Sequence, residues 1–126
     1  MQNSKVFQNM ALTYQTKQGI PIVTLSGSLI NIDTALVRRQ LIDLIEKISP
    51  YLIIDLTPLN VIDAKALSVF VSALKTAQQH QGDVLLLNPT PPVRTLIELI
   101  HLQDIFSIYI DEAAALAHCT QSLCQT

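Results

Sequence analysis

Apolar and polar positions change their period several times along the chain, and each change marks an element. Met10 to Lys17 alternates weakly, Gln18-Gly19 is a turn signal, and Ile20 to Ser26 is rich in β-branched residues and closed by Gly27. This predicts an antiparallel hairpin, with Pro21 near the start of its second strand, where a missing N–H is tolerated. From Ser28 to Ser49 the period lengthens. Leu36, Val37, Leu41, Leu44, Ile45 and Ile48 recur at helical spacing, opposite Arg38, Arg39, Asp43, Glu46 and Lys47. Asn31 or Asp33 can cap this helix, and Pro50 stops it.

The stretch Tyr51 to Leu74, YLIIDLTPLNVIDAKALSVFVSAL, organises the rest. Tyr51 to Leu56 is an apolar run ending near Asp55, as in a central strand covered on both faces. Pro58-Leu59-Asn60 reads as a loop, with Val61 and Ile62 as the last buried residues before Asp63, a favourable N-cap. The helix that follows places Leu67, Phe70, Val71, Leu74 and Ala77 on one side, and Gly82 is its expected C-terminal stop.

The alternation then repeats. Asp83 to Leu87 is a second apolar strand, and the proline-rich NPTPP loop leads into a helix with Val93, Leu96, Ile97 and Ile100. Ile105 to Ile110 reads as a last strand, and Asp111 caps a final helix whose acidic first turn suits the helix dipole. The order β-β-α-β-α-β-α-β-α implies an α/β fold. Its mixed, mostly parallel five-stranded sheet would carry an N-terminal hairpin and about four helices.

Composition adds limits. The 126 residues suit one domain, and 49% are hydrophobic with a mean hydropathy of +0.37, which implies either a fully covered sheet or some apolar surface kept for a partner. No apolar run approaches the ~18–20 residues of a membrane span. The first ten residues have no apolar signal core, which points to a cytoplasmic protein. Net charge is −2 and the pI about 5.8, without a Lys/Arg cluster beyond Arg38-Arg39 and without Trp, so nucleic-acid binding is not expected. Cys119 and Cys124 lie five residues apart on a predicted helix, face different ways, and read as two reduced thiols.

Chemistry is sparse. The three glycines are placed as turns, so no phosphate loop exists, and no Cys-x-x-Cys or His-x-x-x-His pair supplies a zinc site. His118, Cys119 and Cys124 read as packing residues, and His80 and His101 as solvated helix ends. Asp33, Asp63 and Asp111 each have a capping task, and Asp55 ends a strand. The reading is a non-enzyme with no cofactor and no metal.

Three blocks give the chain a family likeness. GSLINIDTA (27–35), LIIDLTPLNVIDAKAL (52–67) and TPPVRTLIELIHLQDIFSIY (90–109) together resemble the STAS domain of bacterial anti-sigma factor antagonists and sulfate-transporter tails. The resemblance implies a single STAS domain over 1–126, with a core of about 11–117 and flanking tails at 1–9 and 118–126. In such antagonists the loop reads Asp-Ser-Ser-Gly-Leu or Asp-Ser-Thr-Gly-Leu, and its second hydroxyl is phosphorylated by a kinase that is also the anti-sigma factor. Here the five positions are Asp63, Ala64, Lys65, Ala66 and Leu67, so Lys65 stands at the phosphoacceptor position.

The resemblance therefore implies partner binding through Asn60, Asp63, Ala64, Lys65, Ala66, Leu67 and Ser68, with Asn31 and Asp33 beside them. The partner would be an anti-sigma factor or Ser/Thr kinase-type protein, without a phosphorylation switch at Lys65. Ser68, Ser72 and Thr57 are substitute acceptors of lower standing. An alternative is an accessory subunit of an ABC-type phospholipid transporter that binds its ATPase. Small-ligand binding, of nucleotide or lipid, and a homodimer are further options for the apolar surface.

Overall fold

The computed structural model describes the backbone of residues 5–7 and 12–124 and the side chains of residues 13–121. Three short strands open the chain: β1 (Lys5–Phe7), β2 (Leu12–Lys17) and β3 (Ile20–Leu25), paired antiparallel in that order. The expected hairpin is thus present, with Gly19 at φ +80° in its turn and β1 as an additional edge strand. Met10 and Ala11, expected to begin the hairpin, lie outside the described residues.

β3 then runs parallel to β5 (Tyr51–Asp55), β5 to β7 (Asp83–Leu87), and β7 to β8 (Ser107–Tyr109). The sheet order is β1-β2-β3-β5-β7-β8. The parallel strands advance in one direction, so right-handed crossovers put the intervening helices on one face. These helices are α1 (Thr34–Lys47), α2 (Ala64–Gln79) and α3 (Pro91–Leu99). The last helix, α4 (Glu112–Cys124), covers the other face.

Strand alternation sorts the core into two layers. Val23, Leu25, Leu52, Ile54, Val84 and Leu86 meet the buried stripes of α1, α2 and α3, with Phe70 fully buried between them. Ile20, Ile22, Tyr51, Ile53, Leu85 and Leu87 face α4 through Ala115, Leu116 and Cys119. A Lys17–Glu112 ion pair of 2.7 Å ties the hairpin to the first turn of α4.

Several expectations need correction. Leu59–Ile62 is not loop but a strand, β6, paired in parallel with β4 (Gly27–Leu29) as a separate ribbon. Gly27 therefore starts β4, and its φ of +77° turns the chain out of β3. Val61 is 41% exposed, whereas Leu59 and Ile62 are buried. Ile48 and Ile100, read as members of buried stripes, are exposed C-caps, because each helix ends one residue before its apolar pattern does. Pro91 and Pro92 open α3 rather than precede it, where their missing N–H groups are unneeded. The last strand is only Ser107–Tyr109, since Leu102–Asp104 forms a 3-10 turn first. At 118–126, read as a tail, α4 continues to Cys124, and Cys119 is buried.

Candidate functional site

β4 and β6 leave the C-terminal ends of the adjacent parallel strands β3 and β5, and they lead into α1 and α2. Their pairing brings two connections to one place at that edge of the sheet, a common location for functional groups in open α/β folds. The register shifts between Gly27 and Ser28, which leaves Asn60 as the extra, exposed residue of a bulge.

Asp63 locks the arrangement. Its Oδ1 accepts from Ala66 N at 2.9 Å, capping α2, and its Oδ2 accepts from Asn31 N at 3.1 Å, across the β4–α1 connection. Its own N–H donates to Leu29 O at 3.2 Å. Asn31, at φ +55°, turns the chain so that its amide faces this carboxylate. These bonds to Ala66 and Asn31, with the nearby Lys65 charge and despite some burial, hold the Asp63 carboxyl below the usual carboxylate range.

The capping expectation for Asp63 is met, and Asp33 caps α1 by accepting from Leu36 N at 3.1 Å, which decides between Asn31 and Asp33. Asp111 accepts from Ala114 N at 3.3 Å.

Asp63→Ala is expected to lower stability by about 1 kcal/mol near neutral pH through loss of the cap alone. The folded-state pKa is depressed, so the carboxylate's contribution is present above the unfolded value of about 3.9 and lost as pH falls through the folded value. Urea melts of wild type and variant should therefore differ at pH 7, and the difference should shrink as pH falls through the lowered folded-state value.

The other candidate residues separate into surface and core. Ala64, Lys65 and Ser68 are exposed in the first turns of α2, beside exposed Asn60 and Asn31. Ala66 and Leu67, expected to touch a partner, are fully buried and belong to the core under α1 and α2. Two residues not anticipated as surface join the exposed set: Ile30, 47% exposed, and Val61. The ammonium of Lys65 makes no hydrogen bond or ion pair among the described residues.

The hydroxyls nearby are engaged. Ser68 Oγ donates to Lys65 O at 2.6 Å, and Ser72 Oγ donates to Ser68 O and accepts from Arg38 Nε, both at 3.3 Å. Thr57 Oγ1 donates to Asp55 Oδ1 at 2.6 Å and accepts from Asn88 Nδ2 at 3.2 Å. Thr90 Oγ1, at the start of α3, donates to Leu59 O at 2.8 Å and fastens β6 from its other side.

A second polar cluster lies under α4. His118 Nδ1 is 2.8 Å from Tyr109 Oη, and its Nε2 is 3.5 Å from Asp83 Oδ2. Burial raises the Asp83 carboxyl, offset in part by its bond from Val84 N and by His118. Cys119 is buried beside them, and burial, with the Asp83 charge, pushes its thiol up to about 12. That thiol is an inert core residue at neutral pH; the Cys124 side chain lies outside the described residues. No group of three His, Cys, Asp or Glu side chains among the described residues could hold a metal ion. No described helix is long and apolar enough to cross a membrane.

A mixed sheet with three helices on one face, one on the other, and a two-strand ribbon fixing a helix start defines a STAS-type α/β domain. The chain belongs to the STAS domain family, which it matches over residues 11–115. It is 28% identical over 109 residues to an anti-sigma F factor antagonist of Paenibacillus polymyxa, spanning 86% of this chain and 93% of that one. Among solved structures, a protein of Thermotoga maritima described as an anti-sigma factor antagonist superposes with a TM-score of 0.78 at 22% identity, over 85% of this chain and 92% of that one. The Bacillus anti-sigma factor antagonist SpoIIAA in its unphosphorylated form gives 0.75 at 18% identity, over 86% and 95%. The likeness to these structures is one of fold.

Proposed function

We infer that the protein is an anti-sigma factor antagonist-like regulator. It binds an anti-sigma factor or kinase-type partner through the start of α2 and the β4–β6 ribbon, and phosphorylation at the usual position does not switch it. The observation that carries this reading is Lys65. It occupies an exposed first-turn position of α2, two residues after the capping Asp63, where the family pattern has a hydroxyl. An amine cannot take the place of that hydroxyl in a Ser/Thr kinase reaction. In the family the added phosphate would meet the positive end of the helix dipole and change the charge offered to the partner. Here the charge at that position is fixed and positive.

The surface suits a protein contact. Ile30 and Val61 supply exposed apolar area. The exposed polar residues Asn31, Asn60 and Lys65 belong to the same two connections and the helix start they lead into, a mix of apolar and polar surface that suits an ordinary interface. The engaged hydroxyls of Ser68, Ser72 and Thr57 make poor substitutes for the missing acceptor.

Affinity capture from the native cell with wild type and with Val61→Asp tests the reading. Recovery of a kinase-type anti-sigma factor by wild type and its loss with the variant is the expected result. Recovery of transporter ATPase subunits would contradict it and favour a role beside an ABC-type transporter.

A further inference from the structure

The exposed face of α2 has a charge opposite to that of the chain. Lys65, Ser68, Ser72 and Lys75 follow at steps of three and four, so they line one strip of the helix. Arg38 reaches this strip from α1, with its Nε donating to Ser72 Oγ at 3.3 Å. No Asp or Glu occurs between Ala64 and Gly82, although the whole chain has a net charge of −2. Among the described residues neither lysine has an ion-pair partner. Both oxygens of Asp63, the nearest carboxylate in sequence to Lys65, are committed to backbone N–H groups.

These cations do not serve the helix. α2 has no acidic residue in its first turn and no basic residue in its last. Lys65 lies at the positive end of the dipole, where a cation is unfavourable to the helix. The serines between the cations turn their hydroxyl protons toward the carbonyls of α2 itself, so the strip offers positive charge.

We propose that this strip is the electrostatic half of the docking surface, and that it receives a row of carboxylates on a folded protein partner. One carboxylate faces Lys65, and others lie about 10–15 Å further along the helix, facing Arg38 and Lys75. The proposal rests on the reading that the start of α2 contacts a protein partner, and it adds the chemistry of that partner. A membrane surface fits less well, because anionic lipid recognition uses clusters of about 4–8 Lys/Arg. Nucleic acid fits less well in a chain of pI about 5.8.

The partner captured by wild type, once purified, is titrated calorimetrically into wild type, Lys65→Glu, Lys75→Glu and Lys65→Met, at low and high salt. Circular dichroism verifies that each variant is folded. At 50 mM salt each charge reversal is expected to weaken Kd about tenfold, and Lys65→Met about threefold, with the differences shrinking below about threefold at 0.5 M. Replacing the facing partner carboxylate with lysine should restore binding to Lys65→Glu.

If neither reversal nor salt changes Kd while Val61→Asp abolishes binding, the acidic partner is overturned and the docking surface stands. Sedimentation with phosphatidylglycerol vesicles that is lost in the same lysine variants would assign the strip to a membrane and overturn the proposal. Failure to capture any partner removes the proposal together with the reading beneath it.

Discussion

Gly82→Ala should lower stability by about 3 kcal/mol, at the upper end of what overpacking usually costs. A Cβ at Gly82 would lie well inside 3.0 Å of the Pro50 carbonyl and of the Pro50 ring. The carbonyl cannot swing aside, because it accepts from Asp83 N at 3.1 Å and so holds the start of β7 beside β5. Gly82 N in turn donates to Ala77 O at 2.8 Å and closes the end of α2. Making room would shift the α2–β7 junction and with it the Asp83–His118 pair.

Gly19→Ala is the informative control. That glycine has open space around it and only a left-handed φ, so its cost should be nearer 1 kcal/mol. Urea denaturation of both variants checks the ranking. Equal effects would mean that conformational freedom, rather than close approach, explains Gly82.

Phe70→Ala should be more damaging still, by about 3–5 kcal/mol. Phe70 is the largest of the fully buried side chains, and it lies on the face of α2 that packs on the sheet. Truncation removes the apolar burial and leaves a cavity that the surrounding β-branched and leucine side chains fill only in part. Native domains hold only about 5–15 kcal/mol of stability in total, so one substitution here removes a large share. Phe70→Leu, which keeps most of the volume, should cost less than about 1.5 kcal/mol. Thermal and urea midpoints measure both, and a loss for Phe70→Ala below about 1 kcal/mol would show that α2 is less tightly packed than its burial indicates.

Most of the frame was legible because its signals are local. The apolar runs at Tyr51–Leu56 and Asp83–Leu87, the helical stripe of α1, and the caps at Asp33, Asp63 and Asp111 all follow from residues within a few positions of one another. The β4–β6 ribbon was not legible. Its strands have three and four residues, Leu59–Ile62 is buried only at its ends, and Pro58 and Asn60 imitate a loop. Its pairing depends on β3 and β5 being neighbours, which no short window reveals.

Gly82 looked like a helix stop. The left-handed residue after α2 is Gln81, and the glycine is required by Pro50, more than thirty positions earlier. The Tyr109–His118–Asp83 cluster was hidden for the same reason, as it joins two strands and a helix.

The candidate site was legible in part. Asp63 and Lys65 stood out because one fits a helix start and the other does not. The apolar stripe of α2 already put Leu67 on its buried side. Sequence could not say that Ala66 faces inward with it, or that Ile30 and Val61 face outward, since those orientations depend on how the ribbon sits against α1 and α2.

Whether Lys65 removes the phosphorylation switch is decided by phosphate transfer from the partner. Wild type and Lys65→Ser are incubated with the purified kinase-type partner and radiolabelled ATP. Phosphate incorporation is located by mass spectrometry, and partner binding is measured before and after. The expected result is an unlabelled wild type that keeps its partner, and a Lys65→Ser protein labelled at the new serine that releases it. Label on Ser68, Ser72 or Thr57 of the wild type, accompanied by release of the partner, would contradict it.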